Sequence, residues 1–306
     1  MDKKKITFIG LGAMGKSMAG HLAKAGYPMT VFDLNPTPLK DLESQGAKVA
    51  SSCADAAADA DVIITMLPAD EEVKQAILGE KGVLEGARQG AVIIDMTSMA
   101  PHTAIHVAAE TVKKGVDYMD APVSGGTVGA EKAILTIMVG GDAGLLEKHR
   151  DILETMGRTI FHVGGVGMGE TVKMINQILV GINVLGIAEA FTLGVKLGVD
   201  PKKLYDIISV SAGNSFILGN RVPDFIFKGD FTQPGFAVDL LRKDVGLAME
   251  TGKLLKYPLP LSSEVYQWLT FASAAGKGKM DQSSVIEIFE ELAGVEVRWS
   301  EDKKTE

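Results

Sequence analysis

The chain has 306 residues, a hydrophobic fraction of 46%, a charged fraction of 23% and a net charge of -8. That length exceeds what one core usually supports and predicts two domains of a soluble globular protein. The acidic balance, 31 Lys+Arg against 39 Asp+Glu, argues against a nucleic-acid or other polyanionic partner. A single cysteine, Cys53, excludes an internal disulfide and suits a reducing cytoplasm. Behind the charged start only a four-residue apolar run follows, Ile6 to Ile9, too short for a secretory signal.

Residues 5–9 (KITFI) read as a short strand, and Gly10-Leu11-Gly12-Ala13-Met14-Gly15 follows at once. A helical pattern then runs to Ala25 and stops at Gly26. This is G-x-G-x-x-G between a strand and a helix. Its first glycine permits a tight turn, its second lets backbone approach a pyrophosphate, and its third allows close helix–strand packing. Amide groups at the helix start then face an anion. The next strand, 29–32, ends at Asp33, 18 residues after Gly15. A carboxylate there accepts hydrogen bonds from both ribose hydroxyls of an adenosine and repels a 2′-phosphate, so NAD is expected over NADP.

The alternation continues through 61–67 (DVIITML) and 91–96 (AVIIDM), near-continuous apolar runs of the kind buried on both faces of a parallel sheet. Ligands sit beyond the carboxyl ends of such strands. Leu67-Pro68 and Thr97-Ser98 occupy those ends and are expected to line the cofactor; for the two hydroxyls, capping of a helix at Pro101 is the alternative. After 117–122 (DYMDAP), Ser124-Gly125-Gly126 offers a hydroxyl and exposed amides, either a cradle for a carboxylate or a flexible turn. Runs at 135–139 and 159–163, flanking a helix at 143–156, extend the sheet. The implied fold is an α/β Rossmann-type domain with a mostly parallel sheet over 1–164. An all-α domain over 165–306 follows, joined by a long interdomain helix.

That helix lies within 164–198 and carries only four charges, Glu170, Lys173, Glu189 and Lys196. Apolar residues surround its axis, which predicts burial almost all round. About thirty residues span about 45 Å. Asn176, Gln177, Asn183 and Glu189 interrupt it and weigh against a membrane span. Lys173, Asn176 and Gln177 stand at i, i+3 and i+4, on one face. Beyond it, 201–210, 239–255, 262–274 and 281–292 read as helices, the last capped by Asp281 or Ser283. His102 and His106 have no neighbouring ligands to complete a metal set, and no G-x-S-x-G appears. The segment 236–244 (FAVDLLRKD) carries charges on an otherwise apolar helix start, for which a surface ion pair is the bland account.

Four segments, FIGLGAMGKSMAGHLAKAGY at 8–27, DAPVSGG at 120–126, GGVGMGETVKMINQ at 164–177 and LRKDVGLA at 241–248, resemble those of the β-hydroxyacid dehydrogenases. Within that family the chain is most similar to 2-hydroxy-3-oxopropionate (tartronate semialdehyde) reductases and 3-hydroxyisobutyrate dehydrogenases. The resemblance implies that Gly10, Gly12, Gly15 and Asp33 bind the dinucleotide. It implies that Ser124, Gly125 and Gly126 hold a substrate carboxylate, that Lys173 is the catalytic lysine, and that Asn176 and Gln177 position substrate. Lys243 would reach towards the cofactor. Implied too are a short 3-hydroxy acid or its semialdehyde as substrate, no metal, and homodimers or homotetramers. His21 stands where many relatives have asparagine and is expected to affect packing more than chemistry. Rival readings are a succinic or sulfolactaldehyde-like semialdehyde reductase, an imine reductase, disfavoured by Lys173, and a non-catalytic dinucleotide-binding module.

Overall fold

In the computed structural model, which describes residues 3–300, the chain divides between Met174 and Ile175 into two compact units. The first is built on a nine-stranded sheet ordered β3-β2-β1-β4-β5-β6-β8-β7, with β9 against β8. Strands β1 (Ile6–Ile9), β2 (Met29–Phe32), β3 (Lys48–Val49), β4 (Val62–Thr65), β5 (Val92–Asp95) and β6 (Asp117–Asp120) pair in parallel. The ladder then reverses: β7 (Val123–Ser124) and β6 both pair antiparallel with β8 (Leu135–Gly140), and β9 (Gly157–Gly164) rejoins β8 in parallel. Only the outer part of the sheet breaks the mostly parallel rule.

Helices cover both faces: α1 (Gly15–Lys24), α2 (Pro36–Glu43), α3 (Cys53–Ala57), α4 (Asp70–Leu78), α5 (Val83–Gly86), α6 (Pro101–Lys113), α7 (Gly126–Glu131) and α8 (Ala143–Glu154). The alternation of the strands divides the core. Phe8, Val31, Ile64 and Ile94 pack on one side with Met18 and Leu22 of α1. Ile9, Ile63 and Ile93 pack on the other with Val73, Ile77 and Val107. Two-sided burial is why these strands read as unbroken apolar runs. His21 of α1 places its Nε2 3.0 Å from the carbonyls of Ala130 and Glu131 at the end of α7, the packing role expected of it.

Helix α9 (Met168–Lys196) begins in the first unit and continues into the second. The second unit adds α10 (Pro201–Ile208), α11 (Phe216–Arg221), α12 (Val238–Leu255), α13 (Pro260–Ala272) and α14 (Ile286–Ala293). Its core gathers Phe191 of α9, Val222, Ile226, Leu241, Val245, Leu269 and Ile286. α11 passes into a π-helical turn over Val222–Ile226, where Pro223 cannot donate a backbone hydrogen bond. Asp281 caps the last helical segment by accepting the Ser283 N–H at 3.0 Å.

One expectation fails. α9 is long and apolar enough to span a membrane by composition, yet it is not buried all round: Ile175, Leu179 and Leu193 are more than half exposed. A helix apolar on every side needs partners on every side; here Val184, Ile187, Ala188 and Phe191 are buried and Val180, Ile182 and Leu185 are partly buried against the same core.

Candidate active site

The glycine turn between β1 and α1 assigns each glycine a separate task. At Gly10 φ is +94°, and a Cβ would lie 2.3 Å from the Met66 carbonyl oxygen. A Cβ on Gly15 would lie 2.0 Å from the Gly10 oxygen, so α1 packs directly on the turn. At Gly12 a Cβ would meet nothing within 4 Å. The open side of the turn is therefore bare backbone, the surface a pyrophosphate requires. Gly12 and Ala13 are exposed and Met14 partly so, whereas the Leu11 side chain is buried in the core. What Leu11 contributes at this turn is its N–H, which donates to Asp33 Oδ2 at 2.6 Å. The other carboxylate oxygen accepts the Asn35 N–H at 2.6 Å. Asp33 thus stands at the tip of β2 against the glycine turn, and the next side chain, Leu34, is 92% exposed.

Beyond β4 and β5 the connecting loops are tied to each other. Thr97 is buried, and its Oγ1 accepts the Leu67 N–H at 2.9 Å, which fixes the Leu67-Pro68 turn. The N-cap position of α6 is Ala100, whose N–H donates to Asp70 at the start of α4, 3.0 Å away. Ser124 ends β7, and Gly125 and Gly126 both have positive φ, +136° and +63°, before α7 begins.

The last register row of the parallel sheet is polar and buried: Thr65, Asp95 and Asp120 stand opposite one another across β4, β5 and β6. Asp95 accepts the Thr97 N–H at 3.1 Å and the Tyr118 hydroxyl at 3.2 Å. Burial raises its pKa to about 6, against those hydrogen bonds. Asp120 accepts the N–H groups of Gly167 at 2.7 Å and Glu170 at 3.0 Å. Its pKa is also raised by burial, against the bonds from those amides. Asp120 therefore caps the start of α9 from the end of β6. Close packing permits it: a Cβ on Gly140 or Gly169 would lie 2.6 or 2.7 Å from the Asp120 carboxylate. One turn further along α9 stands Lys173, only 6% exposed. A lysine so enclosed, on a helix start fastened to the carboxyl end of the sheet, can exchange a proton with a bound molecule.

In the second unit, Asn176 Nδ2 donates to Gln177 Oε1 at 3.0 Å, and Gln177 Nε2 donates to Asp244 at 2.7 Å. Lys243 Nζ lies 3.2 Å from Asp244, which is 3% exposed. Within 236–244 a partly exposed ion pair does form, between Arg242 and Asp239 at 3.3 Å, whereas the Asp244 carboxylate is buried because α12 turns it inward beside Leu241 and Val245. Sequence reasoning gave no role to Asp95, Asp120 or Asp244. For the first two, the available signal was an acid at the last position of each strand, VIID and DYMD. His102 and His106 are exposed, and among the described residues no group of three metal-binding side chains occurs.

A doubly wound sheet with a bare-backbone glycine turn, an acid at the end of β2 and an enclosed lysine defines a dinucleotide-dependent oxidoreductase. Comparison with known proteins agrees. Residues 5–164 match the family model described as the NAD binding domain of 6-phosphogluconate dehydrogenase. Residues 167–289 match the one described as NAD-binding of NADP-dependent 3-hydroxyisobutyrate dehydrogenase. The chain is 43% identical to 2-(hydroxymethyl)glutarate dehydrogenase of Eubacterium barkeri, over 97% of this chain and 99% of that protein. It is 38% identical to human mitochondrial 3-hydroxyisobutyrate dehydrogenase, over 95% of this chain and 88% of that one. A solved structure of the Mycobacterium tuberculosis 3-hydroxyisobutyrate dehydrogenase with L-serine superposes with a TM-score of 0.86 at 36% identity, covering 94% and 99% of the two chains. The chain belongs to the β-hydroxyacid dehydrogenase family. It is an NAD(P)-dependent oxidoreductase that acts on hydroxyl groups.

Proposed function

We propose that this enzyme interconverts short 3-hydroxy acids and their semialdehydes, with Lys173 as the proton donor and acceptor. The observation that carries the reading is the enclosure of Lys173 on the first turns of α9, where Asp120 fixes the helix start. The nicotinamide, when bound, accepts or supplies the hydride. In the reducing direction the carbonyl oxygen gains negative charge as its carbon gains hydrogen. The Lys173 ammonium polarises that oxygen and gives it a proton; as the neutral amine it takes the proton back in the reverse direction. Ser124 and the amides of Gly125 and Gly126 hold the carboxylate, and Asn176 and Gln177 orient the substrate. Gly10, Gly12 and Gly15 seat the pyrophosphate. Leu67-Pro68 and Thr97-Ser98 border the cofactor, and Lys243 approaches it. Asp33 reads the adenosine ribose, which favours NAD over NADP.

The substrates named for these two relatives share one outline, a primary alcohol and a carboxylate on adjacent carbons, with a variable group at C2. The four sequence segments rank 2-hydroxy-3-oxopropionate first, where that group is hydroxyl. The 43% relative supports a second reading, 2-(hydroxymethyl)glutarate, where it is a second carboxylate arm. 3-Hydroxyisobutyrate, with a methyl group, is next. The exposed Ile175, Leu179 and Leu193 of α9 support assembly as a homodimer or homotetramer.

The test is NADH oxidation with tartronate semialdehyde, methylmalonate semialdehyde, succinic semialdehyde and a cyclic imine, together with NAD reduction by 2-(hydroxymethyl)glutarate. Tartronate semialdehyde is expected to give the highest kcat/KM, and Lys173→Ala to lose several orders of magnitude in turnover while NADH still binds. Turnover near normal in that variant sinks the assignment, and a preference for the imine sinks the substrate class. A strong preference for NADPH contradicts the role given to Asp33.

A further inference from the structure

Three threads meet at the loop that follows β5. Leu67 N–H reaches it at Thr97, and the Ala100 N–H and Thr103 hydroxyl hold Asp70 at 3.0 and 2.6 Å. The third comes from α9: the Met99 N–H donates to Glu170 Oε2 at 3.1 Å. Glu170 is 1% exposed, and its own N–H is held by Asp120. The residue is therefore fixed at both ends, by its backbone to the end of β6 and by its side chain to the loop beyond β5.

Lys173 follows Glu170 by three residues and projects from the same side of α9. The loop that Glu170 grasps contains Thr97-Ser98, the segment assigned to the cofactor. A hydrogen-bonded helical turn thus separates the anchor of that loop from the proton donor. Proton and hydride transfer need their donors at fixed separation, and a displacement of about 1 Å costs about 100-fold in rate.

We propose that Glu170 is a positioning residue that sets the distance between Lys173 and the 97–99 loop through its bond to the Met99 N–H. This rests on the assignment of Lys173 as proton donor. The bond to the Met99 N–H needs an acceptor at the reach of a three-carbon side chain, so this bond is sensitive to side-chain length. Glu170→Gln keeps both reach and acceptor. Glu170→Asp keeps the charge but falls short by one methylene, and Glu170→Ala loses both.

Steady-state kinetics with NADH and the best semialdehyde, NADH binding by fluorescence, and amide hydrogen exchange at Met99 test this on the full chain. Glu170→Asp and Glu170→Ala are expected to lower kcat by about 10- to 100-fold, with NADH affinity within about threefold and faster exchange at Met99. Glu170→Gln is expected to restore kcat and exchange to within about threefold of the parent. If the alanine variant does not fold, the Asp and Gln variants decide alone. Equal loss in Gln and Asp, or an Asp variant with the parent's kcat, overturns the proposal. Met99 exchange is independent of the chemistry: if Lys173→Ala stays active but Met99 exchange follows the pattern above, the lysine assignment fails while the anchor stands.

Discussion

Asp120 and Asp244 are both buried carboxylates beside α9, one in each unit, and they are satisfied in opposite ways. Asp120 is held by backbone, the N–H groups of Gly167 and Glu170. Asp244 is held by side chains, the Gln177 amide and the Lys243 ammonium. Any residue but proline offers an N–H, so the donors of the first arrangement are set by chain path, with the glycines at 140 and 169 making room for the carboxylate. The second depends on two further residue identities and on the rotamers of two long side chains. The first kind of carboxylate fixes where a helix starts; the second ties together polar groups that must themselves stay in place.

Removing Asp120 tests the difference most severely. Asp120→Ala leaves two buried N–H groups without acceptors and is expected to cost about 4 kcal/mol. Urea unfolding followed by far-UV circular dichroism measures this, and a loss below about 1 kcal/mol would mean the cap is dispensable.

Asp95 sharpens the comparison through pH. Its folded pKa, about 6, is raised above the unfolded value of 3.8. The folded state therefore holds its proton more tightly, and the stabilisation is full below about pH 4 and fades as pH rises through about 6. The full change is on the order of 3 kcal/mol. Asp95→Asn lacks this component, so its stability relative to the parent should improve between pH 4 and 7. Parallel pH profiles for the two proteins would contradict it.

The side-chain network is expected to yield less. In a double-mutant cycle, Gln177→Ala and Asp244→Ala should show a coupling of about 1–2 kcal/mol, since each bond is lost only once. Additive losses would show that the two groups act separately. At the weakest end, Lys113 and Glu110 form an i, i+3 pair on the surface of α6. Lys113→Ala should change stability by less than about 0.5 kcal/mol, and a larger thermal shift would show that exposed pairs here rival buried ones.

Much of the first unit was legible because its physics is local. Gly10 and Gly15 are required by backbone geometry at single positions, and β4 and β5 announce two-sided burial by composition. Lys173 stood out as a charge on an apolar helix. Other features depend on partners that no sequence window contains. The strand Lys48–Val49 is two exposed residues whose only signal is their pairing with β2. Asp120 was visible as part of DAPVSGG, but its task lies 47 and 50 residues away, at Gly167 and Glu170. Asp244 read as a surface charge because its burial is set by how α12 packs. The all-round apolar surface of α9 was read as burial, yet composition does not say whether the covering comes from the same chain.

The two short hydrogen bonds of Asp33 carry a consequence for changing the coenzyme. The carboxylate expected to choose between NAD and NADP also braces the glycine turn through Leu11 and opens the next turn through Asn35. Replacing it to admit a 2′-phosphate would alter preference and loosen the loop that seats the pyrophosphate at the same stroke. A variant library aimed at NADPH would do better to leave position 33 acidic or amide-bearing and recruit a cation at the exposed position 34. On the proposed role for Asp33, one side chain would be both reader and fastener.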